Sequence, residues 1–321
     1  MTSVKLNPFL FYSKQLQSLL AKASKQKNPA LWLYKNDIRT VLFMLEALTR
    51  LHDKAFNQKI FNKWNKRFKK LEDIFGKIDE YISIENELRT NKRVSKEAFK
   101  YFKVNSDNYI QKCNQRLIEK SWLNNKLLLF DKKLNNFDCT GEHLSKLKNS
   151  ILNEIDTIIR FVEKIDCCFT KLEEEVHELR RKLRWLSIYA QALNGLIQLN
   201  QLTKKSKFSS IYFTKEILNS SYNKLPVKPK NVTFIEFDTN SFFALSWIIK
   251  ELGNLKDTGL NIEKLSNAFF ISEDITAIEA KNKAISILGF KKTIESDILK
   301  TASVIVNTAL LKDKILEKLV I

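Results

Sequence analysis

The run ILNEIDTIIRFVEKIDCCFTKLEEEVHELRRKLRWLSIYAQAL, Ile151 to Leu193, decides the fold class. Its apolar positions are Ile151, Ile155, Ile158, Val162, Ile165, Phe169, Leu172, Val176, Leu179, Leu183, Leu186, Ala190 and Leu193. They alternate steps of four and three, which keeps them on one face of an α-helix. Taken literally the run is one long coiled-coil helix. Thr170 with Glu173 matches the capping-box pattern, however, and a cap there would satisfy orphaned amides, so two helices are expected.

The same spacing recurs on both sides. Phe61, Trp64, Phe68, Leu71, Phe75, Ile78 and Ile82 form a seam suited to bundle packing. Trp32, Ile38, Val41, Leu42, Leu45 and Leu48 predict one helix from about Leu31 to His52, after a first amphipathic segment from Phe9 to Gln26 that ends near Pro29. Further helices are expected over Lys96 to Lys103 and Asp107 to Leu134, closed by a polar loop from Asn135 to Gly141. From Gln201 to Thr239 the composition changes: Pro226, Pro229 and the β-prone stretch Val232 to Phe237 predict a loop insertion with room for a short strand pair. Helical patterning resumes at Ser241, with turns expected at Gly259, Ser272 and Gly289.

Six Gly and four Pro in 321 residues are too few for the turns of a sandwich, a barrel or a βαβ array. The expected class is therefore all-α, in a single domain with approximate repeat halves 1–140 and 141–321. The cysteines, Cys113, Cys139, Cys167 and Cys168, show no zinc-knuckle spacing and read as reduced, small apolar residues. No segment carries about 18 uncharged apolar residues, and no secretory leader is evident at Met1 to Leu20. A cytoplasmic location with no membrane partner is the expectation.

Charge is the strongest functional signal. Fifty-five Lys and Arg against 36 Asp and Glu give a net +19 and a pI near 9.6, which calls for an anionic partner. In VHELRRKLRW, residues His177, Arg180, Arg181 and Arg184 fall at i, i+3, i+4 and i+7, on the helix face opposite Val176, Leu179, Leu183 and Leu186. A basic stripe is ordinarily a solvated face. Here the face has almost no compensating acid, and guanidinium forks spaced by one helical turn can follow a chain of repeating phosphates. His177 could add a hydrogen bond or a charge.

An internal repeat accompanies this ladder. Asn36-Asp37-Ile38-Arg39 in the first half corresponds to His177-Glu178-Leu179-Arg180 in the second, each opening an amphipathic helix. Downstream, LEDIFGKID (Leu71 to Asp79) corresponds to IKELGNLKD (Ile249 to Asp257), each with a Gly in a helical run before an Asp. Such repetition predicts duplicated helical units about a pseudo-twofold axis.

VHELRRKLRWL together with LGNLKD resembles the CHAD family, the conserved-histidine α-helical domain, over most of the chain from Leu31 to Ile321. The resemblance implies two pseudo-symmetric helical bundles with long antiparallel helices, enclosing a basic channel that binds inorganic polyphosphate without catalysis. Association with polyphosphate granules is one consequence. It assigns His177, Arg180, Arg181 and Arg184 to the ligand, and Arg39 in the first copy. There Asn36 stands in the histidine position, and Phe43 and Met44 replace the later basic residues. Lys35 and Asn36 beside Arg39, with Lys66, Arg67 and Lys70, complete the expected set.

Other basic groups, Lys59 and Lys63 on the third helix, Lys112, Arg116 and Lys120, and Lys204, Lys205 and Lys207, read individually as solvated surface. With only His52, His143 and His177, and no HExxH, phosphate loop or GxSxG, no enzyme, metal or cofactor is expected. Glu85, Glu87 and Arg89 imitate a metal and phosphate motif that requires a strand, and Glu173, Glu174 and Glu175 suit a helix N-terminus. Two other classes compete: a nucleic-acid-binding protein, disfavoured because the aromatics sit on apolar seams rather than among the cations, and a helical scaffold for an acidic protein partner.

Overall fold

The computed structural model describes residues 7–124, 126–134, 141–166, 168–200, 210–228, 230–291 and 293–321. It is mostly helical. α1, Pro8–Ala23, and α2, Pro29–Lys35, both begin with Pro at the first turn and an Asn cap whose side chain accepts an amide. α3 (Ile38–Phe56), α4 (Lys59–Leu88) and α5 (Lys96–Glu119) follow, then the short α6 (Leu128–Leu134). α7 (Glu142–Ile165) precedes a π-helical turn, Leu172–His177, that runs directly into α8, Glu178–Ala192. The chain then forms β1 (Ile197–Leu199), a short helix α9 (Lys215–Asn219) and β2 (Ile235–Phe237), and ends in α10 (Thr239–Ser272), α11 (Ala277–Ile287) and α12 (Ile294–Val306).

The expected class holds, with several corrections. The helix expected from Leu31 to His52 is broken: Asp37 takes φ 53°, a left-handed conformation that Asp tolerates better than most residues, and the chain turns there between α2 and α3. The two helices expected between Lys96 and Leu134 instead divide after Glu119, because α5 runs unbroken through Asp107. No turn occurs at Gly259, which lies inside the 34-residue α10, whereas Ser272 ends that helix and Gly289, at φ 79°, turns the chain after α11. The break before Thr170 is present, but Glu175 rather than Glu173 caps it, accepting from the amides of Thr170 and Lys171. The strand pair is parallel, Ile197 opposite Ile235, and one of its strands precedes the expected insertion. Positions 135–140 of the expected polar loop and the lysines 204, 205 and 207 lie outside the described residues.

The seams behave as their spacing requires. Phe61, Trp64, Phe68, Leu71, Phe75 and Ile78 are buried, and the seam continues through Tyr81, Ile84 and Leu88 rather than Ile82, which is only partly covered. α3 is the hub, packed against α1, α4, α7 and α8, while α10 packs on α5, α8, α11 and α12. One continuous apolar core therefore draws on both halves of the chain, and a smaller cluster joins the far ends of α4 and α5 to α10 and α11. A buried ionic node ties α3, α7 and α8 together: Glu154 accepts from Arg50, Lys54 and the Tyr189 hydroxyl. Among the described residues no helix is long and apolar enough to cross a membrane.

Candidate functional site

Where α3, α8 and α10 meet, a cleft of about 780 Å³ opens between them. Six basic side chains, Lys35, Arg39, Arg180, Arg184, Lys250 and Lys256, share its walls with three acidic ones, Asp37, Asp79 and Glu216. The residues 215–223, from α9 and the turn after it, cover one side. Gln191 Nε2 donates to the carbonyls of Tyr222 and Lys224, Ser246 donates to Asn223, and Lys250 pairs with Glu216.

α8 delivers two of its arginines to this cleft. Arg180 Nε donates to the Ile249 carbonyl at 3.2 Å, and its guanidinium lies against Gly253, where a Cβ would stand 3.0 Å from Nε. Burial lowers its pKa and nearby Asp257 acts against that shift. One turn later Arg184 lies over the Phe43 ring, 4.4 Å from the centroid. Among the described residues no carboxylate is within ion-pair distance of it. Burial, then the like charges of Arg180 and Arg39, lower its pKa.

Arg39 occupies the opposite wall and is compensated. It donates from Nε and Nη2 to Glu72 Oε1, at 3.0 and 2.8 Å, and from Nη1 to Asp79, which also accepts from the Tyr34 hydroxyl. Its guanidinium sits by Gly76, much as that of Arg180 sits by Gly253. In each case the Arg bonds an oxygen four residues before the Gly, from Glu72 in one and Ile249 in the other.

The remaining expected residues disperse. Arg181 points away from the cleft and pairs with Glu178 at 2.5 Å, because neighbours on a helix diverge by about 100° and the face shared with Arg180 is too wide for one groove. His177 ends the π-helical turn and does not line the cleft. Its Nδ1 is buried without a hydrogen-bond partner among the described residues, and burial with the charges of Lys256, Arg180 and Arg181 lowers its pKa against the pull of Glu173. Asn36 caps α2, donating to the Trp32 carbonyl, and lies outside the cleft, whereas exposed Lys35 lines it. Lys66, Arg67 and Lys70 are on another part of α4: Lys66 borders a separate shallow cleft with Lys59 and Lys63, Arg67 stacks on Trp64 at 4.6 Å, and Lys70 is exposed.

Sequence reasoning missed Lys250, Lys256 and the wall from α9. Both lysines stand inside the IKELGNLKD run already singled out for its Gly, so the signal was present as a basic residue three positions to either side of Gly253. The role of α9 had no signal, since it depends on where an irregular segment lies across α8 and α10. Phe43 and Met44, expected only as losses from a basic pattern, line the cleft, and the Phe43 ring faces both Arg39 and Arg184.

No family model, no curated protein and no solved structure matches this chain.

Proposed function

We propose that the cleft between α3, α8 and α10 binds a chain of phosphates, with inorganic polyphosphate as the ligand, and that the protein acts as a non-catalytic polyanion-binding module of the CHAD type. The observation that carries this is Arg184: a partly buried guanidinium with no carboxylate partner among the described residues, under the like charges of two further arginines. Desolvating an unpaired cation among like charges costs several kcal/mol, and an anion in the cleft removes that cost. Arg180, one turn away, offers a second fork to a chain of repeating phosphates, and Lys35 and Lys256 also line the cleft.

The matched settings of Arg39 by Gly76 and Arg180 by Gly253 support a duplicated helical unit with long antiparallel helices, one copy retaining open arginines and the other having closed its arginine with Glu72 and Asp79. The ligand load then falls on the second copy. The net +19 adds a general attraction that steers polyanions to the surface, in the cytoplasm or at polyphosphate granules.

Competition of long-chain polyphosphate against RNA and DNA, at matched phosphate concentration, tests the reading. Polyphosphate should displace both, with affinity falling steeply as salt rises. Preference for either nucleic acid would replace this reading with a nucleic-acid-binding one.

A further inference from the structure

The cations that line the cleft differ in how they are balanced. Arg39 is held by Glu72 and Asp79 of α4, and Lys256 pairs with Asp257, its neighbour in sequence. Arg180, Arg184 and Lys35 have no carboxylate within ion-pair distance among the described residues. Lys250 is a separate case. Its partner, Glu216, comes from α9, the segment that covers one side of the cleft, and both residues line it. The pair is open to water: the Glu216 side chain is 70% exposed and that of Lys250 31%.

The covering segment does not depend on that pair for its place. Before α9, Tyr212 is buried, with its ring 5.2 Å from that of Trp247 and its hydroxyl donating to Asp313. After α9, Gln191 donates to the Tyr222 and Lys224 carbonyls and Ser246 to Asn223. Ile217, beside Glu216, is buried. The segment is thus fastened on both sides of Glu216, and the carboxylate can leave Lys250 without unfastening it. Lys250 itself follows directly on Ile249, whose carbonyl accepts from Arg180, which sets the lysine beside the arginine pair. We propose that Glu216 is a built-in competitor for the cleft: its carboxylate holds Lys250, and a ligand phosphate must displace it to gain that lysine. This rests on the phosphate reading of Arg180 and Arg184 and adds a contact that limits the affinity of the same site. An exposed ion pair contributes little to stability, so several phosphate charges outweigh one carboxylate, and the displacement subtracts from the binding free energy.

The test is calorimetric titration of the full chain with inorganic tripolyphosphate, at fixed pH and salt, on the wild type, Glu216→Gln, Lys250→Gln and the double variant. Glu216→Gln should bind about two- to fivefold more tightly than wild type, and Lys250→Gln more weakly. Most of the gain from Glu216→Gln should disappear in the Lys250→Gln background, where no lysine is left to contest, whereas a carboxylate acting only through its long-range field would give the same gain in both. An equal gain in the two backgrounds, or no gain from Glu216→Gln while the wild type still binds, would overturn the inference and spare the phosphate site. Absence of tripolyphosphate binding by the wild type removes both.

Discussion

Arg184 of α8 rests on the face of Phe43 of α3, with its guanidinium carbon 4.4 Å from the ring centroid, and Arg39 approaches the same ring at 5.5 Å. One phenylalanine ring of α3 thus faces an arginine of its own helix and an arginine of α8 in the cleft. Replacing it with leucine keeps the apolar volume and removes the quadrupole that orients the guanidinium. Phe43→Leu should weaken polyphosphate binding about two- to fivefold, in keeping with a cation–π contribution of about 0.5–1 kcal/mol, and should leave the melting temperature close to wild type. Binding isotherms beside thermal melts check both halves of the prediction.

Two helical glycines give opposite expectations for the same substitution. A Cβ at Gly253 would stand 3.0 Å from Arg180 Nε and displace that guanidinium from the Ile249 carbonyl, so Gly253→Ala should lower anion affinity. At Gly76 the nearest atom to a Cβ, Arg39 Nη2, is 3.4 Å away, an ordinary contact, so Gly76→Ala should be neutral or stabilising by up to about 1 kcal/mol. Gly259→Ala would collide with Leu172 of the π-helical turn and should cost about 1–3 kcal/mol. Urea unfolding of the three variants ranks them.

Glu46 is buried on α3, and burial first, with Glu72 and Asp73 nearby, pushes its pKa up to about 7 against the pull of Lys69 and Arg50. Its folded-state value lies above the unfolded one, so its stabilising contribution is present below about 4.5 and is lost as pH rises through 7. Glu46→Gln, which keeps the shape and removes the charge, should therefore gain on the order of 2 kcal/mol over wild type at pH 8 and nothing at pH 4.5. Melting temperatures of both proteins across pH 4.5 to 8 show whether the difference opens in that window.

Glu154 poses the reverse case. Burial would raise its pKa, but Arg50 and Lys54 outweigh that and hold the carboxyl below the ordinary range. Glu154→Ala leaves Arg50 and the Tyr189 hydroxyl facing a void in the core and should cost about 3–5 kcal/mol. Breaking the exposed Lys69–Asp73 pair should change stability little. Chemical denaturation distinguishes the two sites.

Hydrophobic period made most of the helices legible, because a buried face must repeat every three or four residues whatever lies beyond it. The breaks were harder. Asp37 interrupts a sound helical pattern through one left-handed residue, and Gly259 sits unbroken in α10 because the close approach of Leu172 needs a residue without a Cβ there. In the cleft, Arg180 and Arg184 followed from their spacing alone. Arg181 did not, since a helical wheel gives an angle and no groove width, and the compensation of Arg39 by Glu72 depends on α3 packing against α4, which no local pattern reveals.

The most direct measurement is salt-dependent polyphosphate titration of Arg180→Gln/Arg184→Gln beside Arg181→Gln, with circular dichroism establishing that both variants fold. All three arginines belong to one helix, but only the first two enter the cleft. The double variant should lose at least about tenfold in affinity and shed roughly two charges' worth of salt dependence, while Arg181→Gln stays near wild type. Equal losses in both variants, or an undiminished double variant, would contradict phosphate binding in the cleft.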